Sequence, residues 1–213
     1  MPSDLAADSA ASVQTGGSAR PARVHYVTHP QVAIDPAVPV PRWGLSELGR
    51  ERTRRAAGCR WASRAGRIFA SEEVKAIETA ALIAEPLGLA IEIRRRMHEN
   101  DRSATGFLPP PLFEATADRF FAAPDLSIDG WERAIDAQAR IVAAVTAAID
   151  EEPGDGDLIF IGHGAVGTLL FCKLAGLPID RRHDQPAGGG NRFAFERASG
   201  RILHGWVPFD HDD

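Results

Sequence analysis

The stretch "DLIFIGHGAVGTLLFCKLAG", residues 157–176, joins an unbroken apolar run to a glycine-rich turn and then to a second apolar segment. An apolar run without alternation is the pattern of a strand covered on both faces, in the middle of a sheet. The second segment, closed by Gly176 and Pro178, reads as a buried helix. A strand that ends in Gly162-His163-Gly164 and passes straight into a helix is one βα unit, and the rest of the chain shows whether it has companions.

It does. Residues 23–28, "RVHYVT", alternate in the manner of a strand and run into His29 and Pro30. Residues 30–43 carry four prolines, which predicts an extended loop. Residues 45–62 read as a helix opened by Ser46, with Gly58 as a stop or a weak point, and residues 67–71, "RIFAS", as a short buried strand. In "EEVKAIETAALIAEPLG", Val74, Ile77, Ala81 and Ala84 fall on one helical face, ended by Pro86 and Gly88. A strand is predicted at 89–94 and a helical insertion at about 103–128. The longest helix is read from residue 129, ended by Pro153 and Gly154, with Trp131, Ile135, Val142, Val145 and Ile149 near one face. Strands at 192–197 and 202–207 flank a turn at Ser199-Gly200. Strands and helices in this alternation predict an α/β domain with a largely parallel sheet over residues 23–213.

Composition narrows the function. The chain of 213 residues is 44% hydrophobic and 25% charged, ordinary for a soluble protein, and its net charge of −5 gives no basic field for nucleic acid. Cys59 and Cys172 have no CxxC partner, so no zinc signature exists, and a reducing compartment is expected. Residues 1–22 lack the apolar core of a secretory signal and are expected to form a disordered tail. No apolar run is long enough to span a bilayer, so a cytoplasmic protein without a membrane partner is expected.

In open α/β sheets, ligands bind beyond the carboxyl ends of the strands. His29 and His163 both sit there, and if their strands are parallel neighbours the two imidazoles share one crevice. Singly, each is more often a turn residue than a catalyst; two at equivalent strand ends carry more weight. The free amides of the helix after His163 favour an anion. Lys75 falls in a first helical turn, where a cation opposes the helix dipole. It either faces a bound anion or is a surface lysine neutralised by Glu72 and Glu78. In "HENDR", residues 98–102, Glu99 or Asp101 can serve as a general acid and Arg102 can add a guanidinium; the plain alternative is a solvated loop. "GHGAVG", residues 162–167, also matches the G-x-G-x-x-G dinucleotide fingerprint. That reading needs a following strand ending in an acid. Residues 177–191 read as a loop, with Asp180 and Asp184 off any strand end.

Taken in order, Thr28-His29-Pro30, the "SEEVKAIETA" helix start, Glu99 and His163 resemble the histidine phosphatase (phosphoglycerate mutase-like) superfamily. "WGLSELGRERTRRAA" resembles its first helix, and Asn191 also fits; the likeness covers residues 23–207. The resemblance implies a three-layer α/β/α sandwich with a helical insertion over the site. It implies His29 as nucleophile, Glu99 as acid and base, and His163, Thr28, Lys75 and Arg102 around the phosphoryl group. No cofactor or metal is implied, and the partner is a small phosphorylated substrate or a phosphoprotein. The sequence departs from the family's Arg-His-Gly at Thr28 and Pro30, and Lys75 replaces an arginine. One lost hydrogen bond to a charged group is worth about 1.5–3 kcal/mol, or about 10- to 150-fold in rate. Three functions therefore stand: a phosphatase working through phosphohistidine, a weak or inactive phosphate-ligand-binding member, and a dinucleotide-binding enzyme. Phe107, Phe113, Phe120 and Phe121 either pack the insertion onto the domain or form a lid for an apolar or aromatic leaving group.

Overall fold

In the computed structural model, which describes residues 20–212, six strands form one sheet. They are β1 (Arg23–Thr28), β2 (Ala65–Ala70), β3 (Ile91–Ile93), β4 (Asp157–Gly162), β5 (Asn191–Glu196) and β6 (Ile202–Pro208), in the spatial order β3-β2-β4-β1-β5-β6. The first four in that order are parallel; β5 and β6 add antiparallel at the edge. The antiparallel pair follows from the turn at Gly200, whose φ of 72° is open to glycine at no steric cost. All but the last three residues of the expected tail lie outside the described residues.

β4 is buried along its whole length, as its apolar run demands. Its side chains divide between the two faces. Ile159 and Ile161 pack with α1 (Glu47–Ala57) and α2 (Val74–Ala84). Leu158 and Phe160 pack with α4 (Ala134–Glu151), α5 (Gly164–Leu174) and two phenylalanines of α3 (Pro110–Ala122). This is the α/β/α sandwich, with α3 as the helix of the insertion. Ser46 caps α1, accepting a hydrogen bond from the Gly49 amide at 3.2 Å.

The structure corrects three details. α1 ends at Ala57, and Gly58 is its C-cap rather than an interior residue. α4 starts at Ala134, because Asp129 and Gly130 hold φ of 51° and 82° and form a turn. Two helix faces are also rotated from those expected. The buried face of α4 is Ala134, Ala137, Ile141, Val145 and Ala148, leaving Ile135 exposed. In α2 it is Ala76, Thr79, Ala80, Ile83 and Ala84, of which only Ala84 was expected, with Lys75 on the same inward side. Alanine-lined faces let both helices sit close to the sheet, and close packing outweighs the pull of isolated larger side chains.

Tyr26 of β1 fills the space between β4 and α5. A Cβ at Gly162 would lie 2.2 Å from its hydroxyl, and one at Gly167 would lie 2.5 Å from its ring. Gly167→Ala is therefore expected to destabilise the protein by about 1–3 kcal/mol. Urea unfolding of the variant measures this, and an unchanged midpoint would remove the proposed contact from the account.

Candidate active site

Parallel pairing of β1 with β4 places Thr28 opposite Gly162, so the next residue of each strand leaves the sheet side by side. The His29 amide donates to the Gly162 carbonyl at 3.1 Å. The rings of His29 and His163 meet edge to face, with centroids 5.3 Å apart. His29 Nδ1 lies 2.9 Å from the Pro30 carbonyl. A carbonyl only accepts, so Nδ1 carries the hydrogen and Nε2 keeps its lone pair. Burial and then the Lys75 charge push the imidazole down to about 4, against the Pro30 bond.

His163 is fully buried behind His29. Its Nε2 is 2.8 Å from Ser71 Oγ and 3.5 Å from Glu73 Oε1, while Nδ1 has no partner. Burial takes this ring down to about 3, despite the opposing charges of Glu73 and Glu99. Tyr26 holds its backbone, the hydroxyl accepting the His163 amide at 3.2 Å.

Glu73 ties the rest together, and the sequence reading passed over it. Its Oε2 receives Lys75 Nζ at 2.5 Å, and its Oε1 receives the Glu99 amide at 2.9 Å. Burial alone would raise this carboxyl; His163, Lys75 and the two hydrogen bonds outweigh it and hold it at about 2. A signal was available. Ser71 and Glu73 flank the exposed Glu72 just past a strand, and alternation continued by two residues turns both inward. Lys75 is accordingly a buried lysine paired with Glu73 and the Val40 carbonyl, 2.9 Å away, not a surface lysine. Glu78 instead accepts from the Leu45 amide and Arg50, and Glu72 faces Arg95.

Glu99 takes the start of α5. Its carboxylate accepts from the amides of Val166 at 3.1 Å and Ala165 at 3.3 Å. The anion expected at that helix terminus is thus a side chain of the protein itself. These amides are the ones a dinucleotide phosphate would need, and β5, the next strand, runs antiparallel to β1. The glycines of "GHGAVG" serve close packing: Gly162 and Gly167 against Tyr26, and Gly164 against Gln185.

Thr28 departs from its expected place. It is fully buried, and its hydroxyl donates to Gln185 Oε1 at 2.6 Å and accepts the Asn191 amide at 3.0 Å. It joins β1 to β5 and lies outside the cavity lining. Arg102 does reach the cavity, its guanidinium 5.0 Å from the Phe113 ring centre and 5.6 Å from that of Trp131. Asp101 instead caps its own loop, accepting the Ser103 amide at 2.8 Å.

The cavity measures about 710 Å³ and opens over His29, Lys75, Glu99 and Arg102. One wall comes from the proline-rich loop and the other from the insertion, including Phe107, Phe113 and Trp131. Phe120 and Phe121 pack in the core and also line the cavity. Asn100 and Asp184 also line it, and neither was singled out as a site residue. Burial pushes the Asp184 carboxyl up, although Thr168 donates to it at 2.7 Å.

A strand-end pair of histidines with an acid between two βα units defines a class of phosphate-handling α/β enzymes, and the comparisons agree. The family model of the histidine phosphatase superfamily (branch 1) matches residues 39–204, a span that starts after His29. The chain belongs to that superfamily. Among solved structures it is similar to Bacillus stearothermophilus YhfR, with 21% identity and a TM-score of 0.74, covering 89% of this chain and 100% of that one. It is also similar to a mycobacterial glucosyl-3-phosphoglycerate phosphatase, with 21% identity and a TM-score of 0.70, covering 88% and 97%. A third is the phosphoserine phosphatase of Entamoeba histolytica, with 13% identity and a TM-score of 0.70, covering 89% and 98%. No curated protein matches the chain. Among the described residues, no helix is long and apolar enough to cross a membrane.

Two outcomes follow from this geometry. Thr28→Val keeps the shape but leaves the Asn191 amide and Gln185 Oε1 short of a partner, at a cost of about 1–3 kcal/mol in urea unfolding; a neutral result would contradict the tie between β1 and β5. The second concerns acid. His25, His29 and His163 titrate at about 3, 4 and 3 in the folded protein, against 6.5 ordinarily, with burial the leading cause in each. Below 6.5 the unfolded chain binds more protons than the folded one. Stability should therefore fall as pH drops from 6.5 toward these lower values. Urea midpoints taken across that range read the slope, and a flat response would count against buried neutral imidazoles.

Proposed function

We propose that the protein hydrolyses a phosphate monoester through a phosphohistidine formed on His29. The observation that carries this reading is the His29 ring: Nδ1 is committed to the Pro30 carbonyl, which leaves Nε2 as a free nucleophile on the floor of the cavity. In the first step Nε2 attacks phosphorus, the bond to the alcohol oxygen breaks, and protonated Glu99 gives that oxygen its proton. In the second, water attacks the phosphohistidine and Glu99 takes the water's proton. The P–N bond breaks, phosphate leaves, and His29 is neutral again.

The remaining groups stabilise charge on the phosphoryl oxygens. Ser71 Oγ, which accepts the Glu73 amide at 3.4 Å, has its own hydrogen for His163 Nε2. In this reading the ring proton sits on Nδ1, a buried atom without a partner among the described residues, as a donor for the phosphoryl group on the neighbouring His29. Lys75 and Arg102 supply positive charge. Arg102 takes over the part that an arginine at position 28 plays in the family pattern. No cofactor enters the scheme, and the partner is a small phosphorylated molecule or a phosphoprotein.

One observation favours a second reading, a phosphate-ligand-binding protein with slow turnover. Lys75 is already neutralised by Glu73, and Thr28 is not among the residues that line the cavity. The cationic support for a dianion is thin.

Turnover of p-nitrophenyl phosphate by the wild type and by His29→Ala separates the two. The first reading expects turnover abolished in the variant and a phosphohistidine recovered from the wild type by acid quench and mass spectrometry. Turnover that survives His29→Ala sinks it. Phosphate binding without turnover selects the second. Arg102→Ala should lower kcat/KM by about 10- to 150-fold. Because the nucleophile must be neutral, kcat/KM should hold as pH falls through 6.5 and be lost only near 4.

A further inference from the structure

The cavity over His29 is far larger than a phosphoryl group requires, and its polar and apolar parts are segregated. Polar groups without protein partners lie beside Glu99. Arg102 rests on two aromatic rings and has no ion pair among the described residues. Asn100 is 4% exposed, and its Nδ2 has no hydrogen-bond partner among the described residues. Polar side chains farther along are already engaged. Gln185 serves Thr28 and Asn191, Gln31 accepts from Arg52 at 3.2 Å, Arg181 is held by Glu114 and Asp118, and Asp184 accepts from the Thr168 hydroxyl and the Gln185 amide. The two facing walls beyond them are apolar: Val32, Ile34 and Val40 from the loop, and Phe107, Leu108 and Phe113 from the insertion. Phe107 meets Trp43 edge-on at 5.5 Å, so the two walls touch.

A sugar, a glycerate or an amino acid placed there would lose water from its hydroxyls or charges and find few free partners. An aromatic or aliphatic group would bury apolar surface against both walls. We infer that the alcohol part of the substrate is bulky and apolar, with an aromatic ring the best fit, and that polar recognition is confined to the phosphoryl end. This rests on the phosphatase reading above for the reaction, though not for the shape of the binding surface.

The test compares kcat/KM for esters whose alcohols have similar acidity, so that leaving-group chemistry does not masquerade as binding: 2-phenylethyl phosphate against ethyl phosphate and glycerol 1-phosphate. The expected preference for the phenylethyl ester is roughly 10- to 100-fold. Ile34→Asn and Phe107→Ala should each shrink that ratio, and the ratio rather than the rate is the readout. Equal or better use of the glycerol ester overturns the inference while the phosphatase reading stands. If no ester turns over, the phosphatase reading falls, and calorimetry with 2-phenylethylphosphonate and ethylphosphonate decides the rest. Tighter binding of the phenylethyl compound by tenfold or more supports the apolar site, and equal binding overturns it.

Discussion

The site depends on the contact between Tyr26 and the turn from β4 into α5. The tyrosine is fully buried, stacked on Phe193 at 5.5 Å, and its hydroxyl both accepts the His163 amide and donates to the His163 carbonyl. Burial pushes the phenol up, which keeps it a neutral donor across the physiological range. A buried phenol needs such a partner, and here the partner is the backbone of a site residue. The contact exists only because residues 162 and 167 lack side chains. Through it, the backbone of His163 is pinned to β1, the strand that delivers His29.

Charge at the site is organised around acids as much as around bases. Glu73 joins Lys75, the Glu99 amide and His163, and Glu99 reaches across to α5. Glu73 neutralises the buried Lys75, so that cation is already balanced before any ligand arrives. Arg102 stands apart, supported by aromatic rings, an arrangement that lets a guanidinium keep its hydrogen-bond donors for another group. Thr28 brings no charge to the end of β1, and Arg102 lies on the loop that follows β3.

Much of this was legible in the sequence, for reasons that can be named. The unbroken apolar run of β4 fixes a central strand, and two histidines at parallel strand ends must be neighbours once β1 and β4 pair. Ser46 announces its helix because an N-cap is a local interaction. What was hidden is not local. The faces of α2 and α4 were misjudged because alanine carries little hydropathy signal yet packs closest. That rotation conceals Lys75, and with it the role of Glu73. Thr28 was placed by analogy at a phosphate, but its hydroxyl answers a demand from β5, a strand far away in the chain. The cavity could not be read at all, since its walls come from segments without regular periodicity.

One of those walls, residues 30–43, has no strand or α-helix yet is firmly held. The Ala33 amide bonds the Gly44 carbonyl at 2.9 Å, and the Trp43 indole reaches the carbonyls of Asp35 and Val38, each at 2.9 Å. Its four prolines fix φ and shrink the ensemble the free loop can sample. The conformational entropy of shaping this surface is therefore spent during folding rather than at the moment of encounter. A guest meeting such a rigid wall loses only its own freedom, and the chain has little room to remould itself around a guest of another shape.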